Sequence, residues 1–159
     1  MKTITINFDE LKKSNWSDKE AENAALCLAF IQNLMNDHNF DYVLKVFAND
    51  SYKQHNRGIP DGINGLVEYL KAFVKRYPEY AYDVKHIYTD GDFVTFHSHV
   101  TLKAKHRGND QKGLNIIDTW RIEDRKIVEH WDSIQPIDGL MRLIIWLTGG
   151  AIRNANGVY

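Results

Sequence analysis

The sequence predicts an α+β domain, with N-terminal helices packed over a curved, mostly antiparallel sheet. Three observations predict it. Apolar residues recur at helical spacing up to Pro78 and at strand spacing after it. The strand candidates are joined by turns too short for crossover helices, so they form an antiparallel meander. Helices come first and strands follow, so the pattern is not alternating βαβ.

The helical half opens at Ser17, Asp18, Lys19 and Glu20, a capping box. The Ser17 hydroxyl can accept from the Glu20 amide while the Glu20 carboxylate reaches back. A long helix is expected from there to about residue 36, with Leu26, Phe30 and Leu34 on one face. Residues 40–48 read as a second, short helix. Residues 62–77 read as a third: Ile63, Leu66, Val67, Leu70, Phe73, Val74 and Tyr77 keep the 3.6 period, and Pro78 stops it.

From there the period is two. Strands are expected over 80–88, 93–104, 114–122 and 127–134. Asp90, Gly91 and Asp92 signal a hairpin turn, Glu123 to Lys126 a tight turn, and residues 106–112 a polar loop. Residues 140–147 read as a helical turn or two, apolar nearly all round, broken by Gly149 and Gly150. Such a tail is either a lid on the core or an interface with a partner subunit.

Composition bounds what this domain can do. At 159 residues the chain is one domain, with residues 1–16 as an arm and 137–159 as an apolar tail. Hydrophobic residues at 43% and charged residues at 26% describe a globular chain with core to spare for a cavity. A net charge of -1 gives no electrostatic case for nucleic acid. The lone Cys27 cannot form an internal disulfide or a cysteine-rich zinc site, and its apolar neighbours make it a core thiol. The N-terminus has no run of signal-peptide length, so a cytoplasmic protein is expected. No apolar run is long enough for a membrane partner.

Chemistry-bearing side chains collect in a few places. Period two puts His130, Asp132 and Ile134 on one face of the last strand, with Glu129, Trp131 and Ser133 on the other. The long strand puts Phe93, Thr95, His97, His99 and Thr101 on one face, and the next carries Asp118 and Trp120. Between the second and third helices lie Tyr52, Lys53, Gln54, His55, Asn56, Arg57 and Gly58, dense in hydrogen-bonding groups. A curved sheet with helices across its concave face makes a cone with a polar floor, the kind of concavity that holds ligands. A carboxylate in such a cavity has a raised pKa and can move protons near neutral pH.

Plainer readings stand beside these. Taken singly, His97 and His99 read as exposed cross-strand residues. Asp118 can pair with Arg121 or Arg125, Trp120 and Trp131 can be core aromatics, and Glu129 can face solvent or an interface. A zinc site from His55, His97, His99 and Asp132 has no short-spaced helical ligand pair behind it, so no metal or cofactor is expected. No Gly-x-Ser-x-Gly elbow supports nucleophilic catalysis.

Four stretches carry a resemblance. They are Tyr52-Lys53-Gln54-His55-Asn56; Gly91-Asp92-x-Val94-x-x-His97; Asp118-x-x-Arg121; and Lys126-Ile127-Val128-Glu129-His130-Trp131-Asp132-x-x-Gln135-Pro136. With the ending Ala155-Asn156-Gly157-Val158-Tyr159, they resemble the SnoaL-like polyketide cyclases of the nuclear transport factor 2-like superfamily. Among these, the resemblance is to the group described as predicted aldol-condensation enzymes. It implies a cone-shaped α+β barrel and metal-free acid/base chemistry at carbon next to a carbonyl, as aldol condensation, cyclisation or isomerisation. It implies Asp132 as the base, with His130 and His55 as its catalytic partners. The substrate-binding residues it implies are Tyr52, Gln54, Asn56, His97, Asp118, Trp120 and Trp131, holding a small apolar or carbonyl-containing ligand. With the apolar tail it also implies a homodimer. Two other readings share the fold: a non-catalytic small-molecule binder, and an interaction module with a filled cone.

Overall fold

The computed structural model describes residues 3–148; the expected ending at 155–159 lies outside them. Helix α1 (Phe8–Leu11) belongs to the arm. The arm is pinned by Gln32, whose amide accepts from the Ile6 N–H at 3.0 Å and donates to the Ile4 carbonyl at 3.0 Å.

Helix α2 (Asp18–Ile31) begins at the capping box, formed in both directions around Ser17 and Glu20. It runs on into a π-helical turn, Gln32–Asn36, so the expected helix to residue 36 is present with its last turn widened. That turn places buried Asn36 against the sheet, where its side chain exchanges two hydrogen bonds with the Tyr82 backbone, at 2.8 and 3.0 Å. A sheet edge that would otherwise expose its backbone is thereby covered. Helix α3 (Phe40–Val46) and helix α4 (Gly62–Arg76) follow as expected.

Between α3 and α4 lies β1 (Lys53–Gln54), a two-residue strand that the sequence does not announce. The meander is β2 (Ala81–Asp90), β3 (Phe93–Thr101), β4 (Leu114–Glu123) and β5 (Lys126–Pro136). The sheet order is β1-β5-β4-β3-β2, antiparallel except for the β1–β5 pair. The sheet does not close on itself; the helices and α5 (Gly139–Thr148) complete the cone.

Two bulges set which residues face inward. In β5, Glu129 pairs with Arg121 but Ile127 pairs with Ile122, so Val128 is the extra residue. The phase shift lets Ile127 and His130 both turn to the concave face, three positions apart. In β2 the shift falls between Val84 and His86, and Val84 and Ile87 both turn inward. The β4–β5 turn has positive φ at Asp124 (48°) and Arg125 (60°), the two-residue geometry whose twist suits a hairpin. Gly113 (φ 90°) starts β4 so close to β3 that a Cβ would lie 2.3 Å from the Val100 carbonyl oxygen.

The core lies between the concave sheet face and α2 and α4. Phe30, Ile31, Leu34, Ile63 and Val67 meet Val94, Phe96, Val100 and Trp120 there, and Cys27 is fully buried among them. The core stops short of filling the cone, and the space left over holds the site.

Candidate functional site

A cavity of about 1180 Å³ opens between α4, α5 and the concave face. Most of its wall is apolar or aromatic. Phe73 and Tyr80 meet edge to face at 4.9 Å, Tyr80 and Tyr82 at 5.7 Å, and Met141, Ile144 and Ile145 of α5 close one side. Helix α5 of the apolar tail is thus a wall of the cavity, while Leu140, Leu143, Trp146 and Leu147 on its other side stay exposed.

A cluster of polar groups sits on one patch of this wall; the charged Arg57, Glu68 and Arg76 also line the cavity. In the β4–β5 ladder Asp118 lies opposite Asp132, and Trp120 opposite His130. Period two turns all four inward. Parallel pairing of Gln54 with His130 brings the 52–58 segment alongside, with Tyr52, Gln54 and Asn56 inward. The Gln54 N–H donates to Asp61 Oδ1 at 2.7 Å, which fixes the strand's start. The sequence hides Asp61, because it stands where a helix cap is expected, yet its side chain caps nothing on α4.

The protonation of His130 follows from its neighbours. The Asn56 backbone N–H donates to Gln54 Oε1 at 3.0 Å, which fixes the orientation of that amide. The same oxygen lies 2.7 Å from His130 Nδ1, so Nδ1 carries a proton and donates it. Gln54 Nε2 donates to the Tyr52 hydroxyl at 3.3 Å. His130 Nε2 faces Asp118 Oδ1 at 3.1 Å. A hydrogen bond there needs a single proton, on the imidazole or on the carboxyl. The two residues therefore share one acidic proton, with His130 stacked on Trp120 at 5.2 Å.

Burial raises the Asp118 pKa above its usual 3.8. The hydrogen bond and charge of His130 oppose the shift, the Asp132 charge adds to it, and the Tyr82 hydroxyl favours the ionised form. Asp118 is 3% exposed, and among the described residues its Oδ2 makes no close hydrogen bond. Asp132 is less buried, and its Oδ2 accepts from Asn56 Nδ2 at 2.5 Å. No Lys or Arg of the described residues forms an ion pair with either carboxylate. One oxygen or nitrogen from each of Asp118, His130 and Asp132 falls within 4.8 Å of the others, a spacing on which a cation could be held.

Three expected site residues lie elsewhere. His55 follows Gln54 and points to the opposite face of the sheet, because neighbours along a strand alternate. There it stacks on Trp131 at 4.8 Å with rings 9° from parallel, and its Nε2 lies 2.8 Å from Glu129 Oε1. Trp131 alternates outward for the same reason and also meets Phe93 at 6.2 Å. His97 is outward on β3, with its Nε2 2.6 Å from Asn115 Oδ1. None of the three lines the cavity. His99 is outward too, and its Nε2 lies 2.7 Å from the Lys112 carbonyl oxygen.

Glu129 does not simply face solvent. Besides His55, it accepts from Arg121 Nε at 3.0 Å, and Lys53 Nζ stands at 3.9 Å. Burial alone would raise its pKa; the hydrogen bonds and charges of His55 and Arg121 outweigh that and hold it below 4.5.

An open α+β sheet with helices across one face and a polar patch in the resulting cavity defines a pocket protein of the nuclear transport factor 2-like fold. The SnoaL-like domain family matches residues 28–130, and the chain belongs to that family.

Solved structures share the fold. A candidate polyketide cyclase from Bacillus cereus ATCC 10987 is 22% identical, with a TM-score of 0.62 over 81% of this chain and 83% of that one. A candidate SnoaL-like polyketide cyclase from Jannaschia sp. CCS1 is 14% identical, with a TM-score of 0.64 over 87% and 99%. A SnoaL-like polyketide cyclase from Agrobacterium tumefaciens C58 is 15% identical, with a TM-score of 0.55 over 77% and 97%. No curated protein matches the chain. No helix among the described residues is long and apolar enough to cross a membrane.

Proposed function

We propose that this protein is an acid/base enzyme acting on small molecules at carbon next to a carbonyl, by aldol condensation, cyclisation or isomerisation. One observation carries the reading. A carboxylate with no Lys or Arg ion pair among the described residues and a one-proton His130–Asp118 pair share a patch of a large, mostly apolar cavity. Deprotonation beside a carbonyl needs a base at the carbon and a donor at the developing enolate oxygen.

Asp132 is the base. It is the less buried of the two carboxylates, and Asn56 holds one of its oxygens, leaving the other for the substrate. The Asp118–His130 pair is the donor. An apolar site keeps a carboxyl protonated so that it can donate to an enolate, and the upward shift of Asp118 fits that role. Gln54 fixes the His130 tautomer, and Trp120 limits water at the pair. His55 is a positioning residue for β5, acting through Glu129, and does not touch substrate. The substrate-binding residues are Tyr52, Gln54, Asn56, Asp118 and Trp120, all of which line the cavity.

The test works with model substrates. A panel of ketones and β-keto esters is screened for binding, and binders are followed by NMR in D2O for exchange of the α-hydrogen. Wild type should exchange it. Asp132→Asn should keep ligand affinity within a few-fold and lose roughly 100-fold or more in rate. An exchange rate unchanged in Asp132→Asn removes Asp132 as the base.

One observation favours a second reading, a binder without turnover. The short Asn56–Asp132 hydrogen bond occupies one carboxylate oxygen and holds the side chain still, an arrangement that also suits a site that only binds. Tight binding of carbonyl ligands with no exchange by wild type would establish that reading. The interaction-module reading needs a filled cone, which the open cavity does not fit.

A further inference from the structure

We propose that the Tyr52 hydroxyl donates its proton to a neutral carbonyl oxygen bound in the cavity, as a second donor beside the Asp118–His130 pair. The inference rests on the acid/base reading only for the place of a carbonyl ligand at the polar patch. It concerns binding, so it holds with or without turnover.

The direction of the Tyr52 proton follows from a chain of orientations. The Asn56 backbone N–H donates to Gln54 Oε1 at 3.0 Å, and His130 Nδ1 donates to the same oxygen at 2.7 Å. The other end of that amide is therefore Nε2, and an amide NH2 only donates. It faces the Tyr52 hydroxyl at 3.3 Å, so the phenol oxygen accepts there and its own proton points elsewhere. Among the described residues nothing accepts that proton. Tyr52 is 1% exposed and lines the cavity. A buried phenol ordinarily finds a partner for its O–H, because a donor left dry and unmet costs free energy. A carbonyl oxygen in the cavity would meet it.

The donor is also held in place. The Tyr52 N–H donates to the Asn49 carbonyl at 3.3 Å, and the Tyr52 carbonyl accepts from the Gly62 N–H at 2.8 Å. The backbone is thus tied on both sides, and Gln54 ties the far end of the side chain. Gln54 carries His130 on one end of its amide and Tyr52 on the other, so the two donors stand side by side. A donor fixed before the ligand arrives needs no reorganisation when charge develops on the oxygen.

The surroundings select the ligand. Burial raises the Tyr52 pKa well above its usual 10, and the charges of Asp118 and Asp132 raise it further. The phenol therefore stays neutral and donates; it is not a base. The same two charges repel an anionic oxygen placed at Tyr52 but not a neutral one, so ketones and esters are favoured over carboxylates. In the reaction the α C–H bond breaks, its proton goes to Asp132 and its electron pair moves onto the carbonyl oxygen. Asp132 becomes neutral as that oxygen becomes charged, and the hydrogen bond from Tyr52 strengthens.

The probe is 1-tetralone labelled with 13C at the carbonyl, with tetralin as its counterpart without oxygen. Binding to wild type should move the carbonyl resonance downfield of its value in water-free solvent. Tyr52→Phe removes one hydroxyl and should move the resonance part of the way back. It should weaken 1-tetralone about 5- to 10-fold and leave tetralin within about two-fold. Tyr77→Phe removes another phenol hydroxyl from the cavity wall, at the end of α4, and should leave the resonance unchanged.

A thermal melt checks folding. If Tyr52→Phe fails to fold, 3-fluorotyrosine at position 52, a stronger donor of nearly the same shape, should move the resonance further downfield. No binding of 1-tetralone up to about 1 mM, a resonance unmoved by either change at position 52, equal weakening of 1-tetralone and tetralin, or the same shift in Tyr77→Phe would each overturn the inference. The failures are separable. Protein that exchanges α-hydrogens with a carbonyl signal independent of Tyr52 removes only this donor. A signal that depends on Tyr52 in protein that exchanges nothing removes only the enzymatic reading.

Discussion

Gln54 is the residue whose replacement reports most directly on how the site is built. It is fully buried, and its Oε1 accepts from two donors, the Asn56 N–H at 3.0 Å and His130 Nδ1 at 2.7 Å. Gln54→Leu keeps approximate volume and removes both acceptor contacts. Each stranded donor costs about 1–3 kcal/mol if it stays dry. Water entering from the neighbouring cavity recovers part of that, and burying an apolar side chain in place of an amide recovers about 1 kcal/mol more. The net expectation is a destabilisation of about 2–4 kcal/mol in urea unfolding. In a chain of this length that is a fall in Tm of about 5–15 °C.

Gln54→Glu is the matched control. It keeps an acceptor toward both donors, so it should cost less than Gln54→Leu. NMR of the imidazole nitrogens should show Nδ1 protonated in wild type and a mixed tautomer in Gln54→Leu. A Gln54→Leu protein within about 0.5 kcal/mol of wild type, with the His130 tautomer unchanged, would refute the claim that this amide organises the site.

Two further predictions follow from the frame around the site. Glu129 has a lowered pKa, so its contribution is present above the usual 4.5 and is lost as pH falls through its folded value. Glu129→Gln should cost about 1–2 kcal/mol at pH 7. The gap between variant and wild type should shrink on acidification, seen in urea curves from pH 7 to pH 3; a gap independent of pH would show that the carboxylate charge does not matter there. Gly113→Ala adds a Cβ where the Val100 carbonyl oxygen stands 2.3 Å away and forces a non-glycine into φ 90°. It should cost about 3 kcal/mol or more by thermal melt, and an unchanged Tm would mean the β3–β4 approach is looser than described.

Much of this architecture is legible in the sequence for simple reasons. The alternation in β5 is regular through the site, so His130 and Asp132 inward and Glu129 and Trp131 outward follow from period two alone. The capping box at Ser17 and the stripe ending before Pro78 fix two helices the same way. The direction of His55 is not legible, because it depends on β1, whose two residues carry no period of their own. Only the parallel pairing of Gln54 with His130, 76 positions away, decides that Gln54 turns in and His55 turns out.

On β3 the grouping of Phe93, Thr95, His97 and His99 on one face is correct. Which face meets the core is decided by Val94, Phe96 and Val100, more apolar than their alternates. A histidine on this strand is a weaker signal than the valines on either side. Asp61 is hidden by its position before a helix, where an aspartate has an ordinary explanation.

The two-residue pairing of β1 with β5 also fixes when the site comes into being. The four meander strands join neighbours through short connections, so their closure costs little chain entropy. The 52–58 segment can dock only after β5 exists, across the 76 positions that separate Gln54 from His130. It should therefore be unformed in the folding transition state. Changes in this segment, Gln54→Leu among them, would then speed unfolding and leave refolding near the wild-type rate. The Tyr52–Asn56 side of the patch should then be the last part of the site to assemble and the first to come apart.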